Sequence, residues 1–230
     1  MRLTNNKLNV KAVMIDLDGT LIHTAPEIAW AVNAMLVDIG QSPLAMEQIE
    51  AYIGEGANAL IKRCLNNELV DKFTGESNAE LFVKAQKLFF EHYASVVIKS
   101  KPYAGVVEAL QGLNGAGYRL ACVTNKSESF TLPLLEANDL LQYFELVVSG
   151  DTLPKKKPEP DQIFYICEKF GVSVNEAVLV GDSKTDIAAA RNAGCYVFVV
   201  PYGYNQGYEI APSSVDALIN HLNEVQGLIN

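Results

Sequence analysis

The sequence predicts an α/β protein: a parallel sheet with helices on both faces, interrupted near its start by an all-helical insertion. Three observations point there. Five short apolar runs rich in valine and leucine recur along the chain, of strand length and without the alternation of a half-exposed strand. A helical pattern precedes each of the last four of them. The stretch from about residue 24 to residue 95 has helical spacing throughout and no strand-like run.

Taken in order, the first strand is expected over Val10–Ile15, ending at Asp16-Leu17-Asp18-Gly19-Thr20. Thr24-Ala25-Pro26-Glu27 then reads as a capping box with a first-turn proline. Ile28, Val32, Met35, Leu36 and Ile39 follow at helical spacing, and Gly40 is placed to stop that helix. Further helices are expected at Leu44–Tyr52, Ala57–Leu65 and Asn78–Val97. The chain then alternates. Helices at Gly105–Leu113, Ser127–Glu136, Asp161–Phe170 and Thr185–Ala193 separate strands at Arg119–Val123, Phe144–Val148, Ala177–Val180 and Cys195–Val200. Such βαβ units imply parallel strands. The expected domains are residues 1–22 with 97–230 for the core, and 23–96 for a helical cap. An insertion just after the first strand would lie over the carboxyl ends of the strands, where open α/β sheets bind ligands. A lid is the natural expectation.

Composition narrows the function. The 230 residues are 49% hydrophobic and 20% charged, ample for a buried core. A formal charge of -9 argues against nucleic-acid binding, which rests on Lys and Arg neutralising phosphates. No run approaches the ~18–20 apolar residues of a membrane span. The N-terminal MRLTNNKLNV has two basic residues but no apolar signal stretch, so a cytoplasmic protein is expected. Cys64, Cys122, Cys167 and Cys195 are scattered, as reduced thiols would be.

The chemistry sits at the strand ends. Asp16 and Asp18 follow the first strand; Thr124, Asn125 and Lys126 follow the second of the five runs. After the third comes a loop carrying Lys155, Lys156 and Lys157, and after the fourth Gly181-Asp182-Ser183-Lys184-Thr185-Asp186. Each part has a plainer reading: Asp182 as a helix cap, Asp186 as a first-turn acid, Thr124-Asn125 as a turn, the lysines as a solvated patch. Together they bring four carboxylates, a hydroxyl, an amide and a lysine to one rim. That set suits a hard cation such as Mg²⁺ beside a phosphate, and a dication would let neighbouring carboxylates stay ionised.

At these residues the chain resembles the haloacid dehalogenase superfamily, and within it the phosphoglycolate phosphatases. The motifs are DLDGT (16–20), TN (124–125), KKKP (155–158) and GDSKTD (181–186), supported by TAPEIAWAVN, VGDSKTDIAAARNAG and the late loop PYGYNQG. The resemblance implies a Rossmann-like core and hydrolysis of a small phosphorylated metabolite, 2-phosphoglycolate, through an aspartyl-phosphate. Asp16 would be the nucleophile, and Asp18 the general acid that later activates water. Thr124 and Asn125 would hold the phosphate. Lys157 would neutralise nucleophile and phosphate together. Asp16, the Asp18 carbonyl and Asp182 would ligate Mg²⁺, with Asp186, Gly19 and Thr20 in support. Superfamily dehalogenases lack an acid at the second position, so Asp18 favours phosphoryl transfer.

In the cap, Gly54-Glu55-Gly56 reads either as a tip facing the site or as an ordinary turn. Arg63 reads either as partner to a substrate carboxylate or as a surface arginine beside Lys62. His23-Thr24 stands where relatives often have Asp-Ser, a departure that bears on substrate preference. Rival readings are a phosphatase for pyrophosphate, nucleotides or sugar phosphates, a phosphomutase, and a phospho-accepting signalling module. Monomer and homodimer are both compatible with the sequence.

Overall fold

Ala12–Ile15 (β1) is fully buried along its length, and the rest of the fold is arranged around it. A computed structural model describes residues 7–67, 76–205 and 208–230. Besides β1, the strands are Ile22–His23 (β2), Lys101–Pro102 (β3), Arg119–Val123 (β4), Leu146–Val148 (β5), Ala177–Gly181 (β6), Tyr196–Val199 (β7) and Ala217–Leu218 (β8). Six form one sheet in the order β5-β4-β1-β6-β7-β8, every pair parallel. β1 is central, registered Ala12 to Arg119 on one side and Ala12 to Ala177 on the other. This is a Rossmann-like α/β core.

Burial on both faces explains why these strands are continuously apolar. Val13 and Ile15 belong to one core cluster, with Leu110 and Leu113 of Val106–Gly115 (α5) and Leu134 of Glu128–Ala137 (α6). Ala12 and Met14 point the other way. They join Ile163 and Ile166 of Asp161–Phe170 (α7) and Ala189 and Ala190 of Lys184–Ala193 (α8). The chain closes with Val225–Leu228 (α9) beside α5.

The helical segment is Ala25–Asp38 (α1), Met46–Glu50 (α2), Ala57–Asn66 (α3) and Glu76–Ala94 (α4). Residues 68–75 of the expected 23–96 segment lie outside the described residues, as do Gln206 and Gly207 of PYGYNQG and the first six residues. The chain enters the helices through β2 and returns through β3, which pair antiparallel, Ile22 with Pro102 and His23 with Lys101. α1 packs on α4 and buries Met35 and Leu36 against the cluster that also holds Phe89 and Tyr93.

Three expectations need correction. β2 and β3, at two residues each, carry no periodicity to read, and the same holds for the edge strand β8. The capping box at Thr24 does not form: its Oγ1 has no hydrogen-bond partner, and Glu27 instead accepts from Ser100 Oγ at 2.7 Å. The amides of Thr24 and Ala25 donate to the Tyr204 hydroxyl, both at 2.8 Å, so a tertiary contact takes the place of the local one. The helix expected to reach Val97 stops at Ala94, followed by a 3-10 turn over Val97–Lys99.

Candidate active site

Asp16 leaves β1 with its amide still in the sheet, donating to Val180 O at 2.9 Å, so its carboxylate is aimed by the central strand. Lys157 meets it. The ammonium lies 2.7 Å from Asp16 Oδ1 and 2.7 Å from Asp186 Oδ1, and donates to Val123 O at 2.9 Å. All three groups are buried. Burial works against the Lys157 charge, but Asp16 and Asp186 more than offset it and hold the ammonium above the usual lysine range. For Asp16, burial prevails over Lys157 and, with Asp186 adding, pushes the carboxyl up to about 7.

Asp186 is fully occupied. Besides Lys157 it accepts from Ser183 Oγ at 2.6 Å and from the Ser183 and Asp182 amides at 3.1 and 3.3 Å, fixing the loop after β6. Asp182 is held by Thr20 Oγ1 at 3.3 Å and by a short contact from the Tyr204 amide. Burial, Asp186 and Asp16 together raise its carboxyl well above the ordinary range. Only glycine fits at two neighbouring points. A Cβ on Gly19, whose φ is +84°, would sit 2.3 Å from Asp182 Oδ2, and one on Gly203 would sit 2.2 Å from it.

Asp16, Asp182 and Asp186 offer oxygens within 4.8 Å of one another. Three carboxylates face one ammonium, so ionising all three, against the burial that raises Asp16 and Asp182, leaves two negative charges unmatched among the described residues at the cluster. An all-oxygen donor set with that excess fits a hard dication.

Thr124 and Asn125 follow β4 on the same rim. Asn125 Nδ2 donates to Lys157 O at 2.8 Å and to Gly54 O at 3.1 Å, tying two core loops to the helical segment. Gln162, which the sequence reading passed over, braces the same loops: it accepts from the Lys157 amide at 3.1 Å and donates to Thr124 O and Ser149 O. Asp18 pairs with Lys126 Nζ at 2.8 and 3.0 Å. The sequence placed Lys126 on the rim but gave it no role; its position directly after Thr124-Asn125 was the available signal.

A cavity of about 50 Å³ lies where the rim meets the helices. Asp16, Asp18, Thr124, Asn125 and Lys126 line it from the core, and Gly54, Gly56, Leu60, Phe89 and Tyr93 from the helical segment. Lys156 Nζ donates to Glu55 O at 2.9 Å, so Gly54-Glu55-Gly56 is fastened to the core. Arg63 is not a surface residue. It is buried, pairs with Glu55 at 2.6 Å and donates to Tyr52 O at 3.1 Å, and neither Arg63 nor Glu55 is among the cavity-lining residues.

A family model described as haloacid dehalogenase-like hydrolase matches residues 13–200. The phosphoglycolate phosphatase of Nitrosospira multiformis is 48% identical over 223 residues, covering 96% of this chain and 96% of its own. That of Thiobacillus denitrificans is 46% identical over 218 residues, 94% of each. A crystal structure described as a predicted phosphoglycolate phosphatase from Haemophilus somnus has a TM-score of 0.87 at 30% identity, covering 96% of this chain and 99% of that one. Likeness along nearly the full length, in sequence and in fold alike, makes this chain a member of the haloacid dehalogenase-like hydrolases, similar within them to the phosphoglycolate phosphatases.

Proposed function

We propose that the protein is a Mg²⁺-dependent phosphatase that hydrolyses 2-phosphoglycolate to glycolate and phosphate, with residues 23–96 acting as a cap over the site. The observation that carries this is the buried Asp16–Lys157–Asp186 arrangement opening onto a small cavity that also holds Asp18 and Thr124. Asp16 attacks phosphorus, forming an aspartyl-phosphate, and Asp18 gives its proton to the leaving oxygen. Asp18, then ionised, takes a proton from water as that water attacks the intermediate, releasing phosphate and restoring Asp16. Thr124 holds a phosphate oxygen, and Lys157 balances the charge on nucleophile and phosphate. Asn125, whose two side-chain N–H groups are taken by Lys157 O and Gly54 O, positions the loops around it. Asp16, Asp182 and the Asp18 carbonyl would hold Mg²⁺, with Asp186 fixing the loop; the ion supplies positive charge where nucleophile and phosphate repel. Asp186 is a positioning residue, since its own oxygens are already engaged.

The relatives' names favour 2-phosphoglycolate over a nucleotide or a sugar phosphate. Among the described residues no helix is long and apolar enough to cross a membrane, and four buried free thiols suit a reducing cytoplasm. Phosphate release across a panel of 2-phosphoglycolate, pyrophosphate, nucleotides and sugar phosphates tests the reading. Highest kcat/KM on 2-phosphoglycolate with Mg²⁺ is expected. A sugar phosphate or nucleotide ranking above it would overturn the substrate, and no sustained turnover on any of them would overturn the phosphatase.

A further inference from the structure

Tyr93 stands near the end of α4 and is 2% exposed. Its ring is well packed, stacked on Phe89 at 5.5 Å and meeting Phe130 edge-on at 5.0 Å. Its hydroxyl is buried and makes no well-formed hydrogen bond among the described residues, although the Lys126 ammonium is close enough to interact with it, and its own O–H is left to donate. A buried hydroxyl without a good hydrogen bond is costly, and a ligand in the cavity it lines would satisfy it. Tyr93 lines the cavity that holds Asp16 and Asp18.

The surroundings say what that partner would be. The Lys126 ammonium lies over the Tyr93 ring, 4.7 Å from its centroid, without hydrogen-bond geometry to the hydroxyl. It gives two contacts to Asp18 and interacts with the Tyr93 hydroxyl, so ammonium and phenol form one polar corner of the cavity. Burial, only partly countered by Lys126, raises the phenol to about 12, so it remains a neutral donor at neutral pH. The same cavity is lined by Ile28, Ile53, Leu60 and Phe130, and by Ser127, the residue after Lys126. One neutral donor beside one cation, against that apolar lining, suits a single anionic group. It does not suit the several hydroxyls of a sugar.

We propose that the Tyr93 hydroxyl, with Lys126 beside it, receives the carboxylate of the substrate's leaving group and thereby determines which phosphate monoester is preferred. This rests on the phosphatase reading above and assigns the far end of the same site. Phosphate is held by core residues that any phosphate ester would use. The carboxylate is held by Tyr93, a residue of the helical segment.

The test compares 2-phosphoglycolate with ethyl phosphate, which has the same chain length and no carboxylate, in the wild-type enzyme and in Tyr93→Phe. The substitution keeps the stacked ring and removes a hydroxyl that makes no well-formed hydrogen bond within the protein, so the melting temperature is expected to hold within a few degrees. Losing a hydrogen bond to a charged group should lower kcat/KM for 2-phosphoglycolate about tenfold to a hundredfold, chiefly through KM, with ethyl phosphate unchanged within about threefold. A parallel loss on both substrates would mean that Tyr93 acts through Asp18 or through packing, and would overturn the inference while leaving the function standing. Full retention of the carboxylate preference would overturn it in the same way. A wild-type enzyme with no preference for 2-phosphoglycolate over ethyl phosphate would bring down the substrate reading and this inference together.

Discussion

At Asp16 burial competes with an ammonium 2.7 Å away, and burial prevails. A nucleophile needs the ionised form, so something beyond Lys157 has to complete the charge balance. Asp16→Asn keeps the shape and removes the nucleophile. The variant should fold with an unchanged circular dichroism spectrum and lose turnover by at least about a thousandfold, and activity within tenfold of the parent would refute the assignment. Gly203 sets a different limit, because its φ is ordinary and the constraint is purely one of space. Gly203→Ala would push a methyl against Asp182 Oδ2 and Gly19 O. We expect a stability loss of about 1–3 kcal/mol from overpacking, read by denaturant unfolding, with Mg²⁺ dependence shifted to higher concentration. Asp16, Asp18, Thr124 and Asp182 could be placed on the rim from the sequence because each sits just past an apolar strand, whereas Lys157, nine residues beyond the end of β5, was separated from Lys155 and Lys156 only by the family resemblance. Tyr93 and Tyr204 could not. A tyrosine at helical spacing looks like core, and the reach from Tyr204 to Asp182 and to Thr24 is visible only in three dimensions.

Among the elements, the long ones were legible and the two-residue strands were not, since periodicity needs several residues to register. The Gly54-Glu55-Gly56 connection was ambiguous in sequence because a glycine-flanked turn looks the same whether or not it faces a site. Two core side chains resolve it: Asn125 holds Gly54 O and Lys156 holds Glu55 O. Gly56 itself has little room for a side chain, since a Cβ there would lie 2.9 Å from Asn125 O, and its φ of +87° favours glycine. Lys156→Met should release one of the two holds. Amide hydrogen exchange over residues 53–57 is expected to quicken about fivefold to tenfold, matching the ~1–1.5 kcal/mol of a single hydrogen bond. Exchange in β1, β4 and β6 should stay as in the parent. Unchanged exchange at 53–57 would show that the remaining contacts hold this connection without Lys156.

For the whole molecule, the raised carboxyls couple proton and metal binding to stability. Asp16 is pushed up to about 7, and Asp182 is raised as well. A carboxyl with a folded pKa above its unfolded value contributes stability below the ordinary carboxylate range and loses it as pH rises through the folded pKa. Without metal, the melting temperature should therefore fall between pH 6 and pH 8. A dication needs both groups ionised and must expel their protons to bind at lower pH. Excess Mg²⁺ should consequently raise the melting temperature more at pH 8 than at pH 6. An equal or larger rise at pH 6 would count against Asp16 and Asp182 as the paired ligands.

The central place of β1 also governs when the site can exist during synthesis. β1 and Asp16 emerge early, yet β1's sheet partners start at Arg119 and Ala177, and Asp182 and Tyr204 emerge later still. Contacts so distant in sequence form late and make folding slow. A growing chain thus leaves the ribosome with a wholly apolar strand unpaired on both edges until Arg119 has emerged, close to half of the 230 residues. Only a nearly finished chain can shield that strand, and the same event assembles the carboxylates.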